Sequence, residues 1–503
     1  MKKLFVVIVL INVIFSEEII SQVERENSNY GEKIVAEVGN IRITADEFIS
    51  GYEFGPAFYK REKNSKKIYL DNLIREKLLA LDGYARFLDT TQNVKEYYQA
   101  ILDDIATEEL FKDSIQSKIT FTHAEIDTVA KQKLIEVEVL WLYSPTEKGI
   151  VDLLDSLKHG TDFQTLFNRQ LNDSVTIDDR SMKTTRYQVE LKNPQLGKIV
   201  DKLEHGKYSL PVKTNDGWYI VMLKNFSYNL ITSETEQNKI LEEARRAVIK
   251  MKMDHLSNEY VNKLMLAHNP IIKRKAFQIL RSYLANFELP KKKYFEWKMD
   301  KILSDALKAY NIDSVHNYAS ITLVELNDSK ITIADFLKWY RTRDEYIKYD
   351  KRSFANFSRS LEQIIWRMVR DKLLTAVAKN NGYYNSKDIM KQSKWWLDKI
   401  LYSTVKNELT NSIILEHNEM DSNKVKFESQ SELIENELTK KIFHKLNELK
   451  KKYSVVIHNE VLDKIKVGDE NDPKAVDFYF IKRDGLIPRT PYPTIDVYWA
   501  NWQ

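Results

Sequence analysis

Apolar and polar positions along the chain alternate between two periods. "IVAEVGNIRITADEF" (34–48) reads as strand, turn, strand and helix start. Gly39-Asn40 supplies the turn, and Thr44 is placed to cap a helix from Ala45. From Lys66 to Leu110 the period becomes helical: Leu70, Leu73, Ile74, Lys77, Leu78 and Leu81 fall three or four apart. The strand signal returns in "VEVLWLY" (137–143). "EKGIVDLLDSLKHGTDFQTLFNRQLND" (147–173) then reads as two short helices broken at His159-Gly160. A polar stretch, a helix around Ile199 to Leu203 and a break at His205-Gly206 lead into "LPVKTNDGWYIVMLKN" (210–225). There Asn215-Asp216-Gly217 turns the chain into an aromatic and β-branched strand. This order predicts a small α+β domain between helical stretches.

The opening pattern occurs twice. "ITLVELNDSKITIADFLKWY" (321–340) again predicts strand, turn, strand and helix start, with Asn327-Asp328 near the turn and Thr332 at the cap position. "ITADEF" (43–48) matches "ITIADF" (331–336), and "REKLLA" (75–80) matches "RDKLLT" (370–375). The second pair is spaced slightly further from the first in the later copy, which therefore carries a longer connection. Each copy continues into a helix, "AILDDIATEEL" (100–110) and "WWLDKILYSTVKNEL" (395–409). Residues from Ser233 to about Tyr318, and again 431–452, read as charged helices. The tail "GLIPRTPYPTIDVYWANWQ" (485–503) has three prolines and reads as extended. It is either a strap on its own chain or a peptide for a partner.

Composition narrows the class. The chain has 503 residues, of which 43% are hydrophobic and 30% charged, a globular balance that suggests about three domains. Seventy-seven basic residues against 73 acidic leave a net charge of +4, too small and too interspersed to argue for a nucleic-acid partner. There is no cysteine, which excludes disulfides, thiolate chemistry and a lipidated N-terminal cysteine. Met1-Lys2-Lys3 followed by an apolar run from Leu4 to Phe15 and then Ser16 has the form of a signal peptide over 1–16. The alternative is a retained anchor. No later run has the length of a membrane span, so the mature chain is expected to be exported and to carry no integral span.

The residues now on the page carry a resemblance. "VAEVGNIRITADEF" and its following helices look like the N-terminal module of SurA-type and PrsA-type periplasmic foldases. "KHGTDFQTLFNRQLNDS" (158–174) and "LEHGKYSLPVKTNDGWYIVMLKN" (203–225) resemble a parvulin-type peptidyl-prolyl isomerase domain. The implied fold is mainly α with an inserted α+β domain: SurA-like helical modules at 34–135 and 319–468, a parvulin-like (FKBP-like) domain at 136–228 with a four-stranded sheet, a helical connection at 229–318 and an extended tail at 469–503. The implied chemistry is rotation about an X–Pro bond, whose barrier is ~18–20 kcal/mol, with no cofactor. The family places two histidines on neighbouring strands; those places fall near Leu140 and at Tyr219. Its apolar pocket falls near Leu196 and Ile199, and its glycine-rich stretch near 178–187, which here reads "DDRSMKTTRY". Tyr219 and Asp173 are the remaining candidates for catalysis, and Leu140, Leu196, Ile199 and Tyr219 for binding substrate. His159 and His205 sit beside glycines and read as solvent-facing turn residues.

Other chemistry finds little support. No two of the nine histidines stand four apart, so a helical metal site is not expected, and there is no P-loop, dinucleotide fingerprint or nucleophile elbow. Adjacent aromatics at Trp339-Tyr340, Tyr383-Tyr384 and Trp395-Trp396 cannot all face one core. They serve either domain packing or an exposed cradle for aromatic-rich clients. The sequence reading is a periplasmic foldase or chaperone that binds unfolded or nascent exported polypeptides, outer-membrane proteins among them, through a domain whose catalytic motif is degraded. An active prolyl isomerase and a structural subunit of an envelope assembly are the alternatives, and a homodimer stays open.

Overall fold

The computed structural model describes residues 31–502 apart from 56–59, 61–63, 174, 215, 311–314, 344–346, 421–426 and 468–491. The signal-like segment 1–16 and most of the tail before Tyr492 lie outside the described residues. Two compact units are present, Ile115–Leu256 and the rest of the chain. Both expected helical modules contribute to the larger unit. Residues 115–134 instead go with the smaller one, because their helix packs into a core with Tyr187, Ala244 and Val248.

In chain order the larger unit begins with β1 (Ile34–Val38), β2 (Ile41–Thr44), α1 (Ala45–Glu53), α2 (Ser65–Ala85) and α3 (Gln92–Ser114). The smaller unit follows with α4 (His123–Leu134), β3 (Ile135–Ser144), α5 (Glu147–Lys158), α6 (Phe163–Arg169), β4 (Ser181–Thr185), α7 (Arg186–Lys192), α8 (Pro194–Val200), β5 (Val212–Lys213) and β6 (Trp218–Tyr228). The long helix α9 (Glu234–His268) begins in the smaller unit and ends in the larger, which continues with β7 (Ile271–Ile272), α10 (Arg274–Glu288), α11 (Lys291–Glu296) and α12 (Met299–Lys308). The second copy is β8 (Thr322–Glu325), β9 (Lys330–Thr332), α13 (Ile333–Arg341), α14 (Phe354–Asn380) and α15 (Lys387–Met420). It is followed by α16 (Phe427–Lys452), β10 (Val455–Ile457) and α17 (Asn459–Leu462).

The repeat is real in three dimensions. Thr44 and Thr332 cap α1 and α13, accepting the backbone N–H of Glu47 and Asp335. The continuous helical stretch expected over 66–110 is broken at Phe87, whose φ of +56° is left-handed, and Gly382 makes the matching break at +76°. The copies interlock. β10, after the second copy, pairs with β1; β7, before it, pairs with β8. α15 of the second copy packs along α2 of the first, and α3 of the first along α14 of the second. "LDD" and "LDK" align Asp103 with Asp398. Asp398 accepts the Tyr84 hydroxyl of the first copy at 2.8 Å, and Asp103 accepts the Tyr384 hydroxyl of the second at 2.7 Å. Each half thus completes the other. Of the paired aromatics of the second copy, Tyr383 and Tyr384 serve this packing, donating to Asp113 and Asp103 of α3, while Trp339 is buried in its own copy's core and Trp395 is buried on α15.

The tail residues Tyr492–Trp502 dock on this unit. They are extended to Asp496 and then form a 3-10 turn over Val497–Trp502, where the sequence predicted only extended chain. Trp499 and Ile495 are buried in the core of α1, α2 and α15, each such side chain adding about 1.5–3 kcal/mol of burial.

The smaller unit is a four-stranded antiparallel sheet in the order β4-β3-β6-β5. β4 is the element the polar pattern conceals. It is an edge strand reading Ser-Met-Lys-Thr-Thr, of which only Met182 joins the core. It occupies the expected glycine-rich stretch. The helix expected at 199–203 runs instead over Pro194–Val200, because Asn193 accepts the N–H groups of Gln195 and Leu196 and proline suits the first turn.

Candidate functional site

β3 and β6 are the two central strands, and their register sets which side chains meet. Leu140 pairs with Met222, Trp141 with Val221, Leu142 with Ile220, Tyr143 with Tyr219 and Ser144 with Trp218. Alternation sends Leu140, Leu142, Ile220 and Trp218 to the side covered by α5 and α6. Val139, Trp141, Val221 and Tyr219 go to the side covered by Val189 of α7 and Leu196 of α8. The two aromatic neighbours Trp218 and Tyr219 therefore serve opposite faces.

Tyr219 is tied to the turn before it. Its hydroxyl donates to Asp216 Oδ2 at 2.6 Å, and Thr214 donates to the other carboxylate oxygen. Those two hydrogen bonds hold the exposed Asp216 carboxyl below its usual range. Partial burial and the same carboxylate push the Tyr219 phenol up. Tyr143 lies edge-on to Tyr219, centroids 5.2 Å apart, and donates its own hydroxyl to the Asp216 carbonyl at 2.7 Å. The Arg180 guanidinium stands 4.9 Å from the Tyr143 ring, within cation–π range. Gly217 makes the approach possible. A Cβ there would stand 2.6 Å from Tyr143 Cε2 and 2.8 Å from the Ser144 carbonyl oxygen, and its φ is +152°.

The expected site residues divide. Tyr219 and Leu196 share one core cluster, and Ile199 is half-buried on the same helix as Leu196. Leu140 is buried on the opposite face, packed with Ile150 and Phe167, because one step along a strand reverses the side. Asp173 is exposed in the turn after α6. Sequence reading missed Tyr143, Arg180 and the carboxylate role of Asp216. "NDG" signalled a turn and nothing more, and no local pattern announces that β3 pairs with β6 so as to put Tyr143 opposite Tyr219. His159 and His205 are exposed in their turns.

Along β6 the burial fades. Phe226, Tyr228 and Leu230 are exposed, with Phe226 edge-on to Tyr228 at 5.7 Å and His205 6.4 Å from Phe226. Among the described residues, no group of three or more His, Asp or Glu is arranged to hold a metal ion, and no helix is long and apolar enough to cross a membrane.

No protein-family model matches the chain, and no curated protein matches it. Among solved structures it is similar to the peptidyl-prolyl isomerase PrsA of Bacillus anthracis at 13% identity, covering 60% of this chain and 99% of that one with a TM-score of 0.23. PrsA of Bacillus cereus is similar at 18% identity, over 46% and 92% of the two chains, with a TM-score of 0.24. A SurA-like chaperone of Campylobacter jejuni is similar at 18%, over 46% and 96%, with a TM-score of 0.20. Likeness at these scores carries no argument about activity, so function is argued from the chain's own geometry.

Proposed function

We propose that the smaller unit is a polypeptide-binding module on a parvulin-like scaffold, and that the chain is an exported, periplasmic foldase-type chaperone for unfolded envelope polypeptides, outer-membrane proteins among them. One observation carries the reading. Where the resemblance places a histidine, Tyr219 stands with its proton already donated to Asp216, so the strand offers no imidazole and no free donor for the amide of an X–Pro bond. At the far end of the strand, β6 presents Phe226 and Tyr228 to solvent, and Leu230 is exposed just beyond it. This apolar row suits shallow contact with many sequences, and several such contacts add through avidity.

Two measurements test the reading. Isomerisation of a short X–Pro peptide should run at its uncatalysed rate with wild type and with Tyr219→Phe. A rate well above background that Tyr219→Phe abolishes would make the chain an isomerase. Aggregation of a denatured outer-membrane protein should be suppressed at molar excess, and less so by Tyr228→Ser/Leu230→Ser. Absence of suppression by wild type would favour a structural subunit.

A further inference from the structure

The docked tail fills a place that the second copy fills from within. In α13, Trp339 donates its indole N–H to the buried Asp371 carboxylate at 3.1 Å. The repeat aligns Asp371 with Glu76 through "RDKLLT" and "REKLLA", and it aligns Trp339 with Gly51 through "FLKW" and "FISG". The first copy thus has the carboxylate and lacks the indole. The tail supplies it: Trp499 donates to Glu76 Oε1 at 2.9 Å, and the Asp496 N–H donates to the same oxygen at 2.7 Å. Gly51 leaves the room, since a Cβ there would meet the Tyr69 hydroxyl of α2 first and then the Pro493 carbonyl oxygen at 2.9 Å.

The floor of this groove balances its own charge. Glu76 accepts the Lys399 ammonium on both oxygens at 2.8 Å, so its charge stays paired when the indole leaves. The rest of the grip is made by side chains of the groove on strap residues. Arg75 lies over the rings of Trp499 and Trp502, Lys406 bonds the Asp496 carboxylate at 2.6 Å, and Tyr402 donates to it at 3.0 Å. A small void of about 10 Å³ remains between Pro493-Thr494 and the buried pair Lys77–Asp398. The second copy, with the same hairpin and helices, closes its counterpart with its own Trp339.

We propose that the groove between α1, α2 and α15 is a peptide-binding site that the chain occupies with its own tail, and that its partner is a segment of another polypeptide that enters extended and then turns, carrying a carboxylate three residues before an indole. Its partner class rests on the foldase reading. The buried carboxylate selects the indole N–H, Lys406 selects the acidic residue, and Arg75 selects a second ring. A segment on the same chain competes at an effective concentration on the order of mM, so the free site is masked in the wild type.

The test uses the full-length protein and a fluorescent peptide of sequence YPTIDVYWANW, read by anisotropy. Asp496→Ala/Trp499→Ala should bind it about tenfold or more tighter than wild type, since the tethered competitor is weakened. Changing the peptide tryptophans to alanine should abolish the gain. Equal binding by wild type and the tail variant overturns the proposal. So does a tail variant that loses its cooperative thermal transition, which makes the tail a core element, and the single Asp496→Asn checks that outcome with a smaller change. A tail variant that suppresses aggregation yet gains no peptide binding overturns this inference alone. Absence of suppression by the wild type strikes the foldase reading instead.

Discussion

Lys77 and its counterpart Lys372 occupy the same place in the repeated motif, yet their replacement should have very different costs. Lys77 is buried between Glu47 of α1 and Asp398 of α15, 2.7 Å from the latter, and the side chains of the Lys77–Asp398 pair are only 3% and 4% exposed. Burial alone would lower the Lys77 ammonium, but the two carboxylates hold it above its ordinary value. Burial raises the Glu47 carboxyl against the opposing pull of Lys77. Lys77→Met leaves two carboxylates facing each other with no cation between them, Lys394 acting on Glu47 only from further off. Removing one partner of a buried pair costs about 3–5 kcal/mol. Lys372 pairs with Asp335 at 2.8 Å with side chains 38% and 37% exposed, a setting in which an ion pair contributes about 0–1 kcal/mol. Urea unfolding followed by far-UV circular dichroism at pH 7 should therefore show a large loss for Lys77→Met and little for Lys372→Met.

The loss has a pH signature. With Lys77 gone, the burial of the Glu47 carboxyl loses its main opposing pull, so its folded pKa lies above its unfolded one. The folded state is then penalised progressively as pH rises from the unfolded carboxyl range of about 4 to the raised folded value, and the deficit shrinks as pH falls back toward about 4. Replacing the whole cluster with apolar residues (Glu47→Leu, Lys77→Met, Asp398→Leu and Tyr84→Phe) should recover most of the loss, since well-packed apolar substitutes are often neutral or better. Equal midpoints for Lys77→Met and Lys372→Met, or a deficit that grows in acid, would refute the reasoning.

Leu140→Ala should cost about 2–5 kcal/mol of stability in the smaller unit without weakening client binding more than its unfolding explains, because Leu140 faces the α5–α6 core; thermal melts beside aggregation assays decide this. Gly217→Ala should destabilise the β5–β6 hairpin by more than about 1 kcal/mol, since both its φ and the Tyr143 ring oppose a Cβ, and chemical denaturation measures it. Burial would raise the Asp496 carboxyl, but the Lys406 bond and the Tyr498 N–H hold it below its ordinary value. Its contribution to tail docking is therefore present above the unfolded pKa of about 3.9 and lost as pH falls through the depressed value. Tryptophan emission should shift red below about pH 4 in wild type, and Asp496→Asn, shifted already at neutral pH, should flatten that step.

Local chemistry made much of this protein legible. The two hairpins with their threonine caps, the breaks at His159-Gly160 and His205-Gly206, and the turn at Asp216-Gly217 follow from short-range backbone preferences that neighbouring residues fix by themselves. The repeat was legible for the same reason. Sequence alone could not show β4, whose edge position leaves a polar strand without an apolar rhythm, nor the α8 boundary, which Asn193 sets.

What only tertiary structure decided is who packs against whom. Both lysines of the repeat read alike, and burial under α15 separates them. Leu140 and Tyr219 both sit on central strands, and the register between β3 and β6, two strands far apart in the chain, puts them on opposite faces. The proton of Tyr219 is committed by a hydrogen bond to Asp216 that the turn permits but does not announce. Prolines and aromatics by themselves allow the tail to be either a strap or a partner peptide. Its place against Glu76 follows from a space beside Gly51 that no residue of the first copy fills, a relation between segments more than 400 residues apart that no local pattern carries.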